Sequence, residues 1–148
     1  MILPKEVKFI ISKLEKAGFE ASIVGGCVRD FLLNNPPTGG PKDWDVATSA
    51  LPPQIQKIFP KSVYLNKFGT VTICELAGKK ISVGPIEITT YRIDEKYSDQ
   101  RHPNSVKFTP NLKEDLARRD FTINAMAMKL KNLKLKIENY EVIDPYDG

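Results

Sequence analysis

The sequence has few soft metal ligands and no long apolar run. Cys27 and Cys74 are its only cysteines, and His102 is its only histidine. Two cysteines argue against a disulfide framework and favour a reducing cytoplasm, and without a CxxC pair a structural zinc site lacks ligands. No segment has the length of a membrane span, and the N-terminus lacks the apolar core of a signal peptide. We therefore expect no membrane partner, and any metal should be a hard cation held by oxygen.

The charge balance leaves the partner open. The 148 residues suit one domain and contain 22 Lys and Arg against 18 Asp and Glu, a net charge of +4. This mild excess favours a polyanionic partner such as nucleic acid, but a lysine-rich solvated surface explains it equally well. No protein partner is indicated.

The periodicity of the chain predicts an α+β or mixed α/β domain, a small sheet with helices beside it. Apolar spacing and turn residues predict three helices and one mostly helical segment over 4–17, 28–33, 52–58 and 112–128. Strands are predicted over 21–24, 44–47, 71–76, 80–83, 86–92 and 142–143. Residues 34–41 and 94–105 lack periodicity and are predicted to be loops, and Ala77-Gly78 should form a turn.

A pair of glycines joins the first strand to the second helix, in Gly25-Gly26-Cys27-Val28-Arg29-Asp30. Glycines at such a junction let the backbone approach a bulky anion, and amides at a helix start favour phosphate. Arg29 can add a bidentate contact to the same phosphates. The motif is neither a Walker loop nor a GxGxxG fingerprint. On its own, a plain tight turn explains it as well.

Two carboxylates follow on the next strand. Asp43 and Asp45 are two residues apart, so on a strand they share a face and repel each other unless a cation lies between them. Oxygen ligands with few enforced positions suit Mg²⁺, which also accepts substrate phosphates. A solvated loop gives the same pattern by chance. Beside a phosphate-binding turn, however, the pair predicts a two-metal phosphoryl-transfer site.

Further charged residues are candidates for the same site. Glu87 could be a third acid, because Ile86 and Ile88 would point the other way into the core; a plain solvent-facing position is the alternative. The run Arg118-Arg119-Asp120 precedes an apolar segment that could anchor it as a substrate-positioning site. A surface salt-bridge cluster is the simpler account of it.

Together these motifs resemble a known family. Gly25-Gly26-Cys-Val-Arg-Asp, Asp43-Trp-Asp-Val-Ala-Thr and Arg118-Arg-Asp-Phe-Thr-Ile-Asn-Ala are similar to the signature of bacterial-type tRNA nucleotidyltransferases and poly(A) polymerases, class II of the polymerase-β-like superfamily. Phe68-Gly-Thr-Val and Glu87-Ile-Thr-Thr-Tyr-Arg extend the similarity. It covers nearly the whole chain, in the family's order.

The resemblance implies a fold and a set of roles. The fold would be the polymerase-β-like head domain, a small mixed sheet backed by helices. Asp43 and Asp45 would bind two Mg²⁺ ions. Gly25, Gly26 and Arg29 would hold the triphosphate of the incoming nucleotide, and its phosphates and ribose would be positioned by Arg118, Arg119 and Asp120. Asp30 would pair with an arginine, and residues 94–105 would match a flexible loop of the family.

The implied function is template-independent transfer of CMP and AMP, from CTP and ATP, to the 3′ end of tRNA. A poly(A) polymerase, or a CC-adding or A-adding enzyme, shares the same motifs and is the main alternative. A non-catalytic nucleotide-binding or RNA-binding module is a third. Residues 1–148 would be the catalytic head domain, without the neck, body and tail domains that select the base and grip tRNA. Residues 34–41 are longer than the family's usual link.

Two residues are expected to have no chemical role. His102 lies in a polar segment where a histidine is usually solvated, and two-metal transfer needs no histidine. Cys27 has no histidine or aspartate partner evident in the sequence, so we interpret it as a packing residue beside the glycines.

Overall fold

The structure is a computed structural model that describes residues 2–33, 41–64, 68–97, 103–131 and 139–148. Its helices are α1 (Lys5–Lys16), α2 (Gly26–Leu32), α3 (Pro52–Ile58) and α4 (Leu112–Ala117), with a 3₁₀ turn η1 (Thr122–Asn124). Its strands, in chain order, are β1 (Ala21–Val24), β2 (Trp44–Thr48), β3 (Val63–Tyr64), β4 (Thr70–Ile73), β5 (Glu75–Leu76), β6 (Lys79–Lys80), β7 (Ile86–Thr90), β8 (Arg92–Tyr97), β9 (Pro103–Phe108), β10 (Ala127–Lys131) and β11 (Asn139–Ile143). In these ranges no helix is long and apolar enough to cross a membrane.

Seven strands form one mixed sheet in the order β11-β10-β1-β2-β7-β4-β3. Its neighbours pair antiparallel except β2 and β7, which run parallel with Asp45 opposite Glu87. The predicted α+β class is therefore confirmed, and so are the helices near 4–17 and 52–58 and the strands near 21–24, 44–47 and 142–143. The helix predicted from residue 28 begins two residues earlier, at Gly26.

The two faces of the sheet are covered unequally. One face contributes Ile23, Val46 and Ile88 to a large apolar core shared with α1, α2 and α3. The other face contributes Val24 and Ala47 to a smaller cluster with α4, whose apolar side chains are Leu112 and Leu116. Because α4 has only six residues, it covers part of this second face. The uncovered part is where alternate side chains of β2 and β7, those that point away from the large core, can meet solvent.

The strands predicted over 71–76 and 80–83 are partly wrong. The main-sheet strand ends at Ile73, and a separate hairpin of β5 and β6 follows. Its turn is at Ala77 and Gly78, as predicted, and both residues have positive φ, as a tight hairpin turn requires. Residues 82–83 form a turn, not a strand.

The helical prediction over 112–128 is wrong beyond Ala117. The chain turns at Phe121, where φ is 60°, passes through η1 and continues as β10. Met128 then pairs with Ile23 of β1. The helix propensity of residues 127–131 is outweighed by the pairing of β10 between β1 and β11, because this pairing satisfies the backbone hydrogen bonds of a buried segment on both sides.

The loop prediction over 94–105 is corrected at residues 94–97 and 103–105, while residues 98–102 lie outside the described residues. β8 and β9 pair as an antiparallel ladder from Arg92 opposite Phe108 to Tyr97 opposite Pro103, with register shifts after Asp94. These irregularities break the two-residue alternation that identifies a strand in sequence. The strand predicted over 86–92 is interrupted at Tyr91, between β7 and β8. Residues 34–40 and His102 lie outside the described residues.

Candidate active site

The first part of the site is the turn between β1 and α2. Gly25 has φ 78° and ψ −150°, a conformation that L residues with a side chain adopt only with strain. A Cβ atom placed on Gly25 would lie 3.5 Å from Nη1 of Arg119 and 3.7 Å from Oδ2 of Asp45. The glycine turn, one of the arginines and one of the acids predicted from sequence therefore lie together.

Arg29 leaves the first turn of α2 and is held on two sides. Its Nε donates to Oδ1 of Asp30 at 2.8 Å, and its Nη1 donates to Oδ1 of Asn124 at 3.0 Å. The expected pairing of Asp30 with an arginine is thus confirmed, and the arginine is its neighbour. The bond to Asp30 raises the pKa of Arg29, so the guanidinium keeps its charge. Asn124 was not selected from the sequence, because its partner is 95 residues away.

The acids lie at the start of β2 and on the neighbouring strand. Asp43 is exposed just before β2, Asp45 is half-buried within it, and Glu87 is exposed directly opposite Asp45 on β7. Val46 and Ile88 point into the large core, so Asp45 and Glu87 point to the other face, as the sequence predicts. Burial raises the pKa of Asp45, the negative charges of Glu87 and then Asp43 raise it further, and Arg119 opposes them.

This charge pattern is one that a cation would relieve. Within the described ranges, no three His, Cys, Asp or Glu side chains gather closely enough to hold a metal by themselves. Mg²⁺ does not require such a cage, because it keeps waters and is commonly bound by one or two carboxylates together with substrate phosphates. Asp43 and Asp45 therefore fit Mg²⁺ in the presence of a nucleotide, whereas Glu87 is placed beside them without completing a three-acid site.

A cleft of about 450 Å³ opens between the turn and the acids. Its lining residues come from α2 and from the segment that leads into β2: Gly26, Cys27, Arg29, Asp30, Lys42, Asp43 and Asp45. The volume is within the usual range for a small-ligand site. Lys42 was not selected from the sequence, where it is one lysine among many. The cleft thus combines carboxylates for a cation with an arginine and a lysine for an anion.

A second cationic group, the pair Arg118 and Arg119, is held by a buried acid, Asp115. Its Oδ1 accepts from Nε of Arg118 at 3.2 Å, and its Oδ2 accepts from Nη2 of Arg119 at 3.1 Å. Arg119 lies near Gly25 and Asp45. Arg118 is held by the same carboxylate as Arg119. Asp120 follows and is exposed, as is Phe121.

The remaining cysteine prediction agrees with the structure. Cys27 is buried, and its thiol donates to the carbonyl oxygen of Val24 at 3.1 Å. Burial raises the pKa of this thiol to about 12, so it is protonated and unreactive at neutral pH. Cys27 packs against the cleft and has no feature of a nucleophile.

Comparison with known proteins gives a family match over most of the chain. Residues 21–148 match the family model described as the poly A polymerase head domain. Over 140 residues the chain is 46% identical to a CCA-adding enzyme of Lactobacillus delbrueckii subsp. bulgaricus, covering 94% of this chain and 31% of that protein. It is 43% identical over 145 residues to a CCA-adding enzyme of Bacillus cytotoxicus, covering 97% of this chain and 32% of the relative. The chain thus spans about a third of the length of these curated relatives.

Solved structures give the same result. The crystal structure of the Bacillus stearothermophilus CCA-adding enzyme in complex with CTP matches with a TM-score of 0.74 at 39% identity, over 100% of this chain and 31% of that one. A tRNA nucleotidyltransferase complexed with a primer tRNA and an incoming ATP analog matches with a TM-score of 0.57 at 28% identity, over 93% of this chain and 34% of that one.

Proposed function

This chain belongs to the poly A polymerase head-domain family, and from that membership we propose that it supplies the transfer site of an enzyme that adds CMP and AMP, from CTP and ATP, to the 3′ end of tRNA. The observation that carries the proposal is the cleft in which Asp43 and Asp45 face the glycine turn and Arg29. The relatives support the choice of product, since those described above are CCA-adding enzymes. One related structure holds CTP, and another holds a primer tRNA with an ATP analog.

On this proposal the acids form the metal side of the site. Asp43 and Asp45 would hold two Mg²⁺ ions, and these would supply stabilisation of the negative charge on the attacking 3′-oxygen and the leaving pyrophosphate. Glu87 is proposed as a third catalytic acid that is not itself a metal ligand, because it faces Asp45 across the parallel strand pair and raises the pKa of that carboxyl. The mutual repulsion of these carboxylates favours a cation beside them, and a cation bound there would in turn attract the phosphates of the nucleotide.

The cationic residues form the nucleotide side. Gly25 and Gly26 allow the triphosphate to approach the backbone, and Arg29, fixed by Asp30 and Asn124, pairs with its oxygens. Arg118 and Arg119 contribute further positive charge to the phosphates. Asp120 is proposed to contact the ribose, and its exposed position leaves it accessible to a ligand.

The remaining functions are assigned outside this chain. We propose that residues 1–148 are the catalytic head, and that base selection and the grip on tRNA belong to neck, body and tail domains, a proposal supported by the chain spanning about a third of the length of its relatives. Both cysteines are unpaired, which suits the reducing cytoplasm where we place the enzyme.

The test uses the longest protein that the gene encodes. It is incubated with tRNA lacking its CCA end, with CTP, ATP and Mg²⁺, and the 3′ ends are sequenced. We expect CCA to be completed, and we expect Asp43→Asn or Asp45→Asn to lower the rate by about 10²–10³-fold through loss of electrostatic stabilisation. Glu141→Gln is the matched control, because this carboxylate is exposed on the edge strand β11, where it pairs with Lys131 of β10.

One alternative product has support of its own. The matching family is described by its poly A polymerase members, and the head-domain residues are shared by both activities. Long adenosine tails on RNA without a tRNA structure, with no completed CCA ends, would establish the poly(A) polymerase instead. A binding module without catalysis would give neither product, although it would have no use for the pair Asp43 and Asp45.

A further inference from the structure

Asp115 is the one acidic or basic residue that is fully buried in the described part of the chain, with 0% exposure. It lies on α4 beside Leu116, on the helix face that packs on the sheet. Burying a carboxylate costs free energy unless it is paired and hydrogen-bonded, and an apolar side chain of similar volume often packs there at least as well. Packing alone therefore does not explain an aspartate at this position.

Three donors converge on this carboxylate. Besides the two bonds from the guanidiniums of Arg118 and Arg119, Oδ1 accepts from the backbone N–H of Arg92 at 3.0 Å. The last bond joins α4 to the start of β8. Both carboxylate oxygens of Asp115 therefore accept hydrogen bonds. The position of the carboxylate is fixed by α4, which carries it, and by the backbone of β8, which donates to it.

The bonds to Asp115 use one edge of each guanidinium. Arg118 donates through Nε and Arg119 through Nη2, and each guanidinium carries five N–H donors. On Arg119 the other terminal nitrogen, Nη1, lies against Gly25, and its charge acts on Asp45. The carboxylate therefore fixes the direction in which Nη1 of Arg119 points, which is toward the glycine turn and Asp45.

Arg118 and Arg119 also need Asp115 to stay close to each other and to Arg92, whose own side chain is held by Asp94 and by the carbonyl oxygen of Phe68. Arg92, Arg118 and Arg119 lie near one another. Burial lowers the pKa of Arg92 most, and the positive charges of Arg118 and Arg119 lower it further. Like charges at this distance repel, and without a counter-charge flexible side chains would separate toward solvent. A single buried carboxylate holds two of them and the backbone of the third.

We propose that Asp115 is a positioning residue of the transfer reaction: by holding Arg118 and Arg119 together it orients Arg119 so that the N–H groups of its Nη1 meet the phosphates of the incoming nucleotide beside Gly25. This rests on the proposed function. Asp115 itself contacts no substrate and acts through the two guanidiniums. A purely structural residue would stabilise the fold without changing affinity for a nucleoside triphosphate.

The experiment measures binding of CTP and ATP with Mg²⁺ to the 148-residue chain, together with its thermal unfolding. Asp115→Asn keeps the shape but removes the charge, and we expect the dissociation constant to rise about 10-fold, the scale of one charge-assisted hydrogen bond. The matched control is Leu116→Ala, on the same helix and fully buried. This control should lower Tm at least as much while leaving the affinity of the folded chain unchanged.

A second comparison identifies the route. In an Arg118→Gln, Arg119→Gln background, adding Asp115→Asn should weaken binding by less than about 2-fold, because groups that act as one unit are not additive. If Asp115→Asn does not fold, Asp115→Glu carries the test: it keeps the charge but displaces the arginines by a methylene, and should weaken binding several-fold.

The outcomes separate the two proposals. A wild-type chain that binds no nucleoside triphosphate would contradict the proposed function, and the positioning role with it. A wild-type chain that binds, with Asp115→Asn or Asp115→Glu binding equally well, would overturn the positioning role alone. The positioning role would also be overturned if Asp115→Asn lowered the affinity for nucleotide in the Arg118→Gln, Arg119→Gln background by the same factor as in the wild type.

Discussion

At the scale of single residues, Asp45 combines two opposed requirements. It is half-buried and faces Glu87, so its ionised form is disfavoured in the folded chain and its pKa is raised by burial first and by neighbouring charge second. A raised carboxyl pKa means that this group favours folding below the unfolded pKa, and that the contribution is lost as pH rises through the folded pKa. The proposed metal-binding role of Asp45 requires the ionised form, so on that proposal the site is held at the expense of stability.

This predicts that Asp45→Asn stabilises the metal-free chain at neutral pH, by about 1 kcal/mol, the usual gain from relieving a strained functional site. Thermal unfolding with a chelator would measure it. The gain should shrink toward acid pH, where Asp45 is protonated in the wild type. Saturating Mg²⁺ with nucleotide should reverse the order, because only the wild type gains from binding. Equal stability of the two chains at neutral pH would contradict the prediction.

The two cysteines predict a second result. Cys27 is buried with its thiol pKa raised to about 12, whereas Cys74 is exposed. A thiol reagent at pH 7.5 should therefore modify Cys74 alone in the native chain and both residues after denaturation, which mass spectrometry of the labelled chain would count. Cys74→Ser is the control and should leave no fast-reacting thiol. Rapid labelling of Cys27 in the native state would contradict its placement.

How far sequence can predict the site depends on the distance between partners along the chain. Asp43 and Asp45 lie two residues apart at the start of β2, and Gly25 precedes a helix, so local geometry was enough to select them. Asp115 was missed, although its spacing of three and four residues from the two arginines is a helical ion-pair signal. Asn124 and Lys42 give no local signal, because their roles depend on which elements the fold brings together.

At the scale of elements, α4 is the short helix on which the arginine cluster depends. Its N-terminus is capped by Asn111, whose Oδ1 accepts from the backbone N–H of Lys113 at 2.9 Å. Asn111→Ala should destabilise the chain by about 1 kcal/mol, the usual value of such a cap. Lys113→Ala is the control, since this exposed side chain is replaced without loss of the cap. Chemical denaturation measures both, and equal stability of the two variants would contradict the assignment.

The elements that sequence failed to predict share one physical cause. β10 has the composition of a helix and becomes a strand because β1 and β11 both offer it partners. β8 and β9 are irregular strands whose alternation is broken by register shifts. In both cases pairing with a distant segment outweighs the local preference, which periodicity alone cannot detect. The helices α1 and α3, which need only a sheet to pack on, were predicted to within a residue or two.

At the scale of the whole molecule, the described site has charged groups that suit phosphates and a cation, and its cleft has no apolar or aromatic lining that would select a base. The cleft is lined by charged side chains, glycine and Cys27. We therefore expect the 148-residue chain to bind CTP, ATP, GTP and UTP weakly, with dissociation constants within about 3-fold of one another, since shared phosphate contacts would supply the affinity. Calorimetry with Mg²⁺ would measure this. Strong preference for CTP over GTP would place base selection within residues 1–148.

The position of Trp44 has a practical consequence. It is the only tryptophan of the chain, it is 3% exposed, and its backbone lies between the two carboxylates proposed to bind Mg²⁺, while its ring is in the core on the opposite face of the sheet. An indole shielded from water emits at short wavelength, and its spectrum responds to a change in the nearby electric field. The chain therefore contains its own optical probe, so the binding of a cation and a nucleotide in the cleft can be followed by tryptophan fluorescence without attaching a dye.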